Sequence, residues 1–216
     1  MSSSELSNLL ITLTLASSFL IIIGRRLDSV IKAAVVQGIV LAIFTAVRGW
    51  STGMHEMYVA AVLTLLVKAG LIPYILNRVA RLVDTGWGIK SYVNTKMSLV
   101  ICVALVIVAY SVTGDMLASG SAVFARALPA ALAMMLIGLF IMTTRKRAIT
   151  QVVGLLVIEN GVFMAGVGAT NGMPAVIELG VFLDALAGVF IMAILAFRIK
   201  RAFATINTEN LRSLRG

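Results

Sequence analysis

Runs of roughly 20 apolar residues, separated by short basic connections, recur from one end of this chain to the other and decide what it can fold into. A bilayer core about 30 Å thick is crossed by about 20 helical residues at ~1.5 Å each. That ruler finds seven candidate spans, near 6–24, 30–47, 57–77, 97–114, 126–144, 148–169 and 174–198. The fifth admits an earlier start, with Arg126 and Pro129 marking where it enters the membrane and Arg126 placed at the interface. The expected fold is therefore all-α, a polytopic membrane protein of about seven transmembrane helices. Composition agrees: 60% of the residues are hydrophobic, 12% are charged and the mean hydropathy is +1.04, whereas soluble domains are about 45–50% apolar and about 25% charged.

The formal net charge of +9 would suit a nucleic-acid binder only if the basic residues clustered on one folded face, but they sit at the ends of the apolar runs. Short cytoplasmic loops collect Lys and Arg. Arg25, Arg26 and Lys32 flank the first connection, and Arg78, Arg81, Lys90 and Lys96 fill the third. Arg145, Lys146 and Arg147 form the fifth, and Arg198, Lys200, Arg201, Arg212 and Arg215 belong to the tail. Fifteen of the 18 basic residues thus fall on one side, with Arg48 and Arg126 opposite and Lys68 inside a span. The alternation predicts the N-terminus outside and the C-terminus in the cytoplasm. The first segment has neither the basic region nor the cleavage site of a signal peptide and is expected to be retained. The 78–96 connection, with Trp87 and Tyr92 among basic residues and glycines, reads as an amphipathic cytoplasmic segment or a docking surface.

Three charges fall near the midplane. In GLLVIENGVF, Glu159 is the twelfth residue of a span starting near Ala148, about 16 to 17 Å from its edge, with Asn160 beside it. Lys68 and Asp184 reach the same depth from the other side. Each costs roughly 2.5–3.5 kcal/mol at that depth, so all three are expected to face protein or water rather than lipid. Gly180, Asp184 and Gly188 form a small-residue stripe that places the acid in a helix contact, and Glu178, nearer the outside, would be an interfacial mouth or a water-exposed carboxylate. Thr64 lies one turn before Lys68, and Pro73, lacking an N–H, leaves the Ala69 carbonyl without its α-helical partner, predicting a kink beside the lysine. These charges support two readings. One is a buried ion pair that fixes helix packing. The other is a proton relay, because burial brings carboxyl and amine affinities for protons closer together.

Other chemistries have no residues to support them. The single cysteine, Cys102, lies within an apolar run and supplies neither a disulfide nor a metal pair. His55 with Glu56 at a predicted outer loop is too small a set for a metal site, no glycine-rich turn suggests a nucleotide, and the 11 methionines show no ligand spacing.

The runs LTLLVKAGLIPYI (63–75), GLLVIENGVF (154–163) and VIELGVFLDALAGVFIMAILAFRI (176–199), with the tail INTENLRSLRG (206–216), resemble component E of hydrogenase-4 type complexes, a membrane subunit of formate hydrogenlyase-like assemblies. Spans five to seven are similar in turn to the K subunit of respiratory complex I, called ND4L in mitochondria, and to the small C subunit of Mrp-type antiporters. The resemblance implies membrane-embedded acids in the second and third helices of that three-helix unit, here Glu159 and Asp184. The chain departs from the pattern by carrying Asp at the second position and a shorter interval between the acids. It also implies antiporter-like membrane partners and a peripheral arm whose nickel–iron centre and iron–sulfur clusters reside in other subunits, since this chain supplies no cofactor ligands. The organisation expected is a four-helix region over 1–125 containing the 78–96 loop, a K-like three-helix region over 126–201, and a cytoplasmic tail over 202–216. The function expected is that of a proton-path and assembly subunit, not an enzyme by itself, in the cytoplasmic membrane of a prokaryote. A purely structural subunit and an independent small transporter are the alternatives.

Overall fold

The computed structural model describes residues 3–82, 91–114 and 122–169. Seven α-helices and one π-helical turn make up the described residues, with no strand among them: α1 (Ser3–Ile23), α2 (Leu27–Thr52), α3 (His55–Thr64), the π turn (Leu65–Leu71), α4 (Ile72–Leu82), α5 (Thr95–Thr113), α6 (Ala122–Thr144) and α7 (Ala148–Ala169). Because α3, the π turn and α4 run on without a break, six continuous helical rods are long and apolar enough to cross a membrane. They correspond to the first six spans read from the sequence. The seventh, 174–198, lies outside the described residues, as do Glu178, Gly180, Asp184, Gly188 and the tail over 202–216.

Two helix ends have a clear local cause. Gly53 closes α2 at φ 70°, a left-handed conformation that favours glycine, and its N–H returns to the Gly49 carbonyl. Asn94 starts α5, its side-chain oxygen accepting from the Met97 N–H at 2.8 Å. Helix α6 begins at Ala122, earlier than the 126 start expected, because Pro129 falls inside it and does not mark its beginning. Arg126 is exposed within these first turns.

Helix α2 is the hub, packing against α1, α3, the π turn, α4 and α7, while α6 lies against α1, α5 and α7. The tightest pair is α6 with α7. Gly154, Gly161 and Gly168 recur every seven residues along α7, and Cβ atoms there would come within 2.8 Å of the Gly138 carbonyl, 2.7 Å of the Ala131 carbonyl and 2.8 Å of the Ala127 side chain. Small residues let two backbones close in where lipid provides no hydrophobic drive between helices. Around them Ala127, Ala130, Ala131, Met134, Ile137, Val153 and Val157 are fully buried.

One end of the bundle is tied by Arg145, just past α6. Its guanidinium donates to the Ile22 carbonyl at the end of α1 (2.8 Å), its carbonyl accepts from Gln151 of α7 (3.0 Å), and the preceding Thr144 carbonyl accepts from the Tyr92 N–H (3.0 Å). Lys146 adds a cation over the Tyr92 ring, 4.3 Å from its centroid.

Candidate functional site

The two charges in the described midplane region meet. Lys68 Nζ lies 2.7 Å from Glu159 Oε1, with the side chains 4% and 10% exposed. The ammonium also donates to Asn160 Oδ1 at 2.8 Å and stands 5.1 Å from the centroid of the Phe163 ring. Lys68 therefore sits against both polar residues of the IENG motif and the aromatic ring one turn on.

The motif divides its labour around the α7 axis. Glu159 and Asn160 face the lysine, and Gly161 opens the contact with α6 just described. Asn160 is buried, with both ends of its amide hydrogen-bonded: Oδ1 accepts from Lys68 and Nδ2 donates to Gln37 Oε1 at 3.0 Å. Gln37, buried in α2, donates in turn to Ser18 Oγ (2.8 Å) and the Thr14 carbonyl (3.3 Å) of α1. A single hydrogen-bonded line therefore crosses four rods, from α1 through α2 and α7 to the π turn. Each amide is fixed in orientation by its neighbours, an arrangement that satisfies polar groups otherwise costly to bury.

Lys68 is delivered by an irregular backbone. Residues 65–71 form the π turn, and the Ile72 N–H closes it on the Val67 carbonyl. An i→i+5 register assigns the Lys68 carbonyl to residue 73, and Pro73 has no N–H to give; an α register would assign it the Ala69 carbonyl instead. The expected kink is thus met by a widened turn within a continuous helix. On the other side α2 comes so close that a Cβ on Gly38 would lie 3.3 Å from Lys68 Cβ and 3.4 Å from its carbonyl carbon. Ile31, Ala34, Ile72, Pro73, Leu76 and Leu156 line the remaining space beside Lys68 and Asn160, giving it mostly apolar walls. Thr64, fully buried one turn earlier, has no protein hydrogen-bond partner for its hydroxyl among the described residues.

Gln37 was absent from the sequence-based candidate set, yet it carried a legible signal: QG (37–38) repeats the polar–glycine pattern of NG (160–161) within an apolar span. Cys102 is buried away from this line, and His55 is exposed at the start of α3. No group of three or more His, Cys, Asp or Glu able to hold a metal gathers among the described residues.

A multi-pass helical membrane protein with a buried acid–base pair joining its third and sixth predicted spans is the class these observations define. Residues 127–216 match the family described as NADH-ubiquinone/plastoquinone oxidoreductase chain 4L. Over 200 residues the chain is 32% identical to the uncharacterized protein Rv0085 of Mycobacterium tuberculosis, covering 92% of this chain and 91% of that one. Hydrogenase-4 component E of Escherichia coli K12 is 23% identical over 180 residues, 83% of each chain. The chain belongs to the hydrogenase-4 component E family, with an ND4L-like C-terminal part. No solved structure matches it.

Proposed function

We propose that this chain is an integral membrane subunit of a complex I-like membrane-bound hydrogenase or related respiratory complex, and that Lys68 and Glu159 carry protons in it. The observation that carries this reading is the 2.7 Å contact between a buried ammonium and a buried carboxylate at the depth where charge is most costly. Proton transfer within the pair breaks an Nζ–H bond and forms an Oε1–H bond, turning two opposite charges into two neutral groups with no change in net charge. Burial opposes the charged form and pairing favours it, so the two states lie close enough for a neighbouring charge to switch them. Asn160 and Gln37 hold the donor nitrogen in place without themselves titrating.

Asp184 is the next acid in this proposal and Glu178 its outward mouth, by the resemblance of the last predicted spans to the K subunit. Electron transfer belongs to partner subunits carrying the nickel–iron and iron–sulfur centres, with antiporter-like subunits beside this one in the cytoplasmic membrane of a prokaryote. The N-terminus lies outside, as the distribution of basic residues favours. The chain is not an enzyme by itself.

The test is to isolate the complex through a tag on this chain, reconstitute it, and compare protons moved per electron for wild type and Lys68→Met. The proposal requires co-isolated redox subunits and a lower proton-to-electron ratio in the variant. An intact complex with an unaltered ratio would leave the second reading, a packing lock, which the amide bracing of Lys68 favours.

A further inference from the structure

At the end of the bundle tied by Arg145, a cavity of about 550 Å³ opens between the end of α1, the start of α5 and the end of α6. Three cations from three distant parts of the chain line it, Arg25, Lys96 and Arg145, together with Ser91, Asn94 and Thr95. No carboxylate is among its described lining residues. Arg145 is 7% exposed and held by the Ile22 carbonyl, so one cation is fixed in the wall, while Arg25 and Lys96 are exposed and free to close on a ligand. The start of α5, whose first N–H groups carry partial positive charge, adds to the same sign.

The cavity continues into an apolar stripe. Lys96, Val100, Val103 and Ile107 follow one another at i, i+4, i+7 and i+11 on α5, the spacing of a single helix face. The three apolar members are 64%, 50% and 61% exposed, and α5 is the least buried of the six membrane-crossing rods. Eleven residues at ~1.5 Å extend about 16 Å, the depth of half a bilayer core of about 30 Å. A cationic pocket at the membrane edge, above one leaflet's depth of exposed hydrocarbon, matches the two ends of a single amphiphile.

We infer that this cavity binds the phosphate headgroup of an anionic phospholipid whose acyl chain lies along the Val100–Val103–Ile107 stripe. The basic connections then do more than orient the chain; they hold a specific lipid where α1, α5 and α6 converge.

The experiment uses the full chain in detergent, mixed with equal amounts of phosphatidylglycerol and phosphatidylcholine, and counts bound lipids by native mass spectrometry. Wild type is expected to retain phosphatidylglycerol in preference to phosphatidylcholine. Arg25→Gln with Lys96→Gln is expected to weaken that retention roughly tenfold or more, on the scale of basic side chains at anionic lipid surfaces. Lys32→Gln with Arg81→Gln removes the same charge from the same end of the bundle outside the cavity and is expected to leave retention unchanged. Thermal midpoints in phosphatidylcholine confirm that each pair folds; if the first does not, Lys96→Gln alone carries the test, with about a fivefold loss expected. Equal loss in both pairs, equal retention of the two lipids, or displacement by millimolar inorganic phosphate would each overturn the inference, the last by making the ligand a free anion.

Discussion

At the scale of single residues, the fold concentrates its polar chemistry on one nitrogen. Lys68 is bound by Glu159 and Asn160, and Asn160 is positioned by Gln37, so each partner has a distinct effect when removed. Lys68→Met leaves Glu159 buried without its cation and is expected to destabilise the full chain by about 3–5 kcal/mol, whereas Lys68→Met with Glu159→Leu should recover most of that loss. Thermal unfolding of the two variants in the same detergent checks the difference, and no recovery would mean the pair is not the unit described. Gln37→Leu, which strands the Asn160 amide, is expected to cost about 1–3 kcal/mol in the same assay. Lys68 and Glu159 were legible in the sequence because charge inside an apolar run must find a partner. That they find each other was not, since helix order follows from tertiary packing. Gln37 escaped notice because an uncharged amide does not interrupt a hydrophobic run as a charge does.

At the scale of elements, positions without side chains bring the site together. Gly38 lets α2 touch the π turn at Lys68, and Gly161 lets α7 close on α6 while its neighbour Asn160 faces inward. Gly161→Ala places a Cβ 2.7 Å from the Ala131 carbonyl, a backbone atom that moves only with its helix. The expected cost is about 1–3 kcal/mol, seen as a lower thermal midpoint. An unchanged midpoint would show the α6–α7 contact to be looser than described. Span lengths were readable because bilayer thickness fixes them, and four of the six corresponding rods begin and end within four residues of the expected bounds, while α2 and α4 each run five residues past theirs. The π turn was not readable: Pro73 announces a broken hydrogen bond, but whether the backbone kinks or widens depends on the packing of α2 against it.

At the scale of the whole molecule, the basic residues and the acid–base pair make separate claims, and each has its own measurement. The distribution of basic residues predicts that Lys146 and Gly53 lie on opposite sides of the membrane. In a Cys102→Ser background, Lys146→Cys should react with an impermeant maleimide only in inverted vesicles and Gly53→Cys only in intact spheroplasts; the reverse pattern would invert the topology. The central claim is that Glu159 takes part in proton movement, and it is tested most directly in inverted membrane vesicles driven by the redox reaction of the complex. Wild type and Glu159→Gln are compared at matched complex abundance, since Gln keeps the size and a hydrogen-bonding side chain but cannot take up the proton. The account predicts assembled complex whose redox turnover no longer acidifies the vesicle lumen. Assembly with normal acidification would contradict it and leave Glu159 as a packing partner for Lys68.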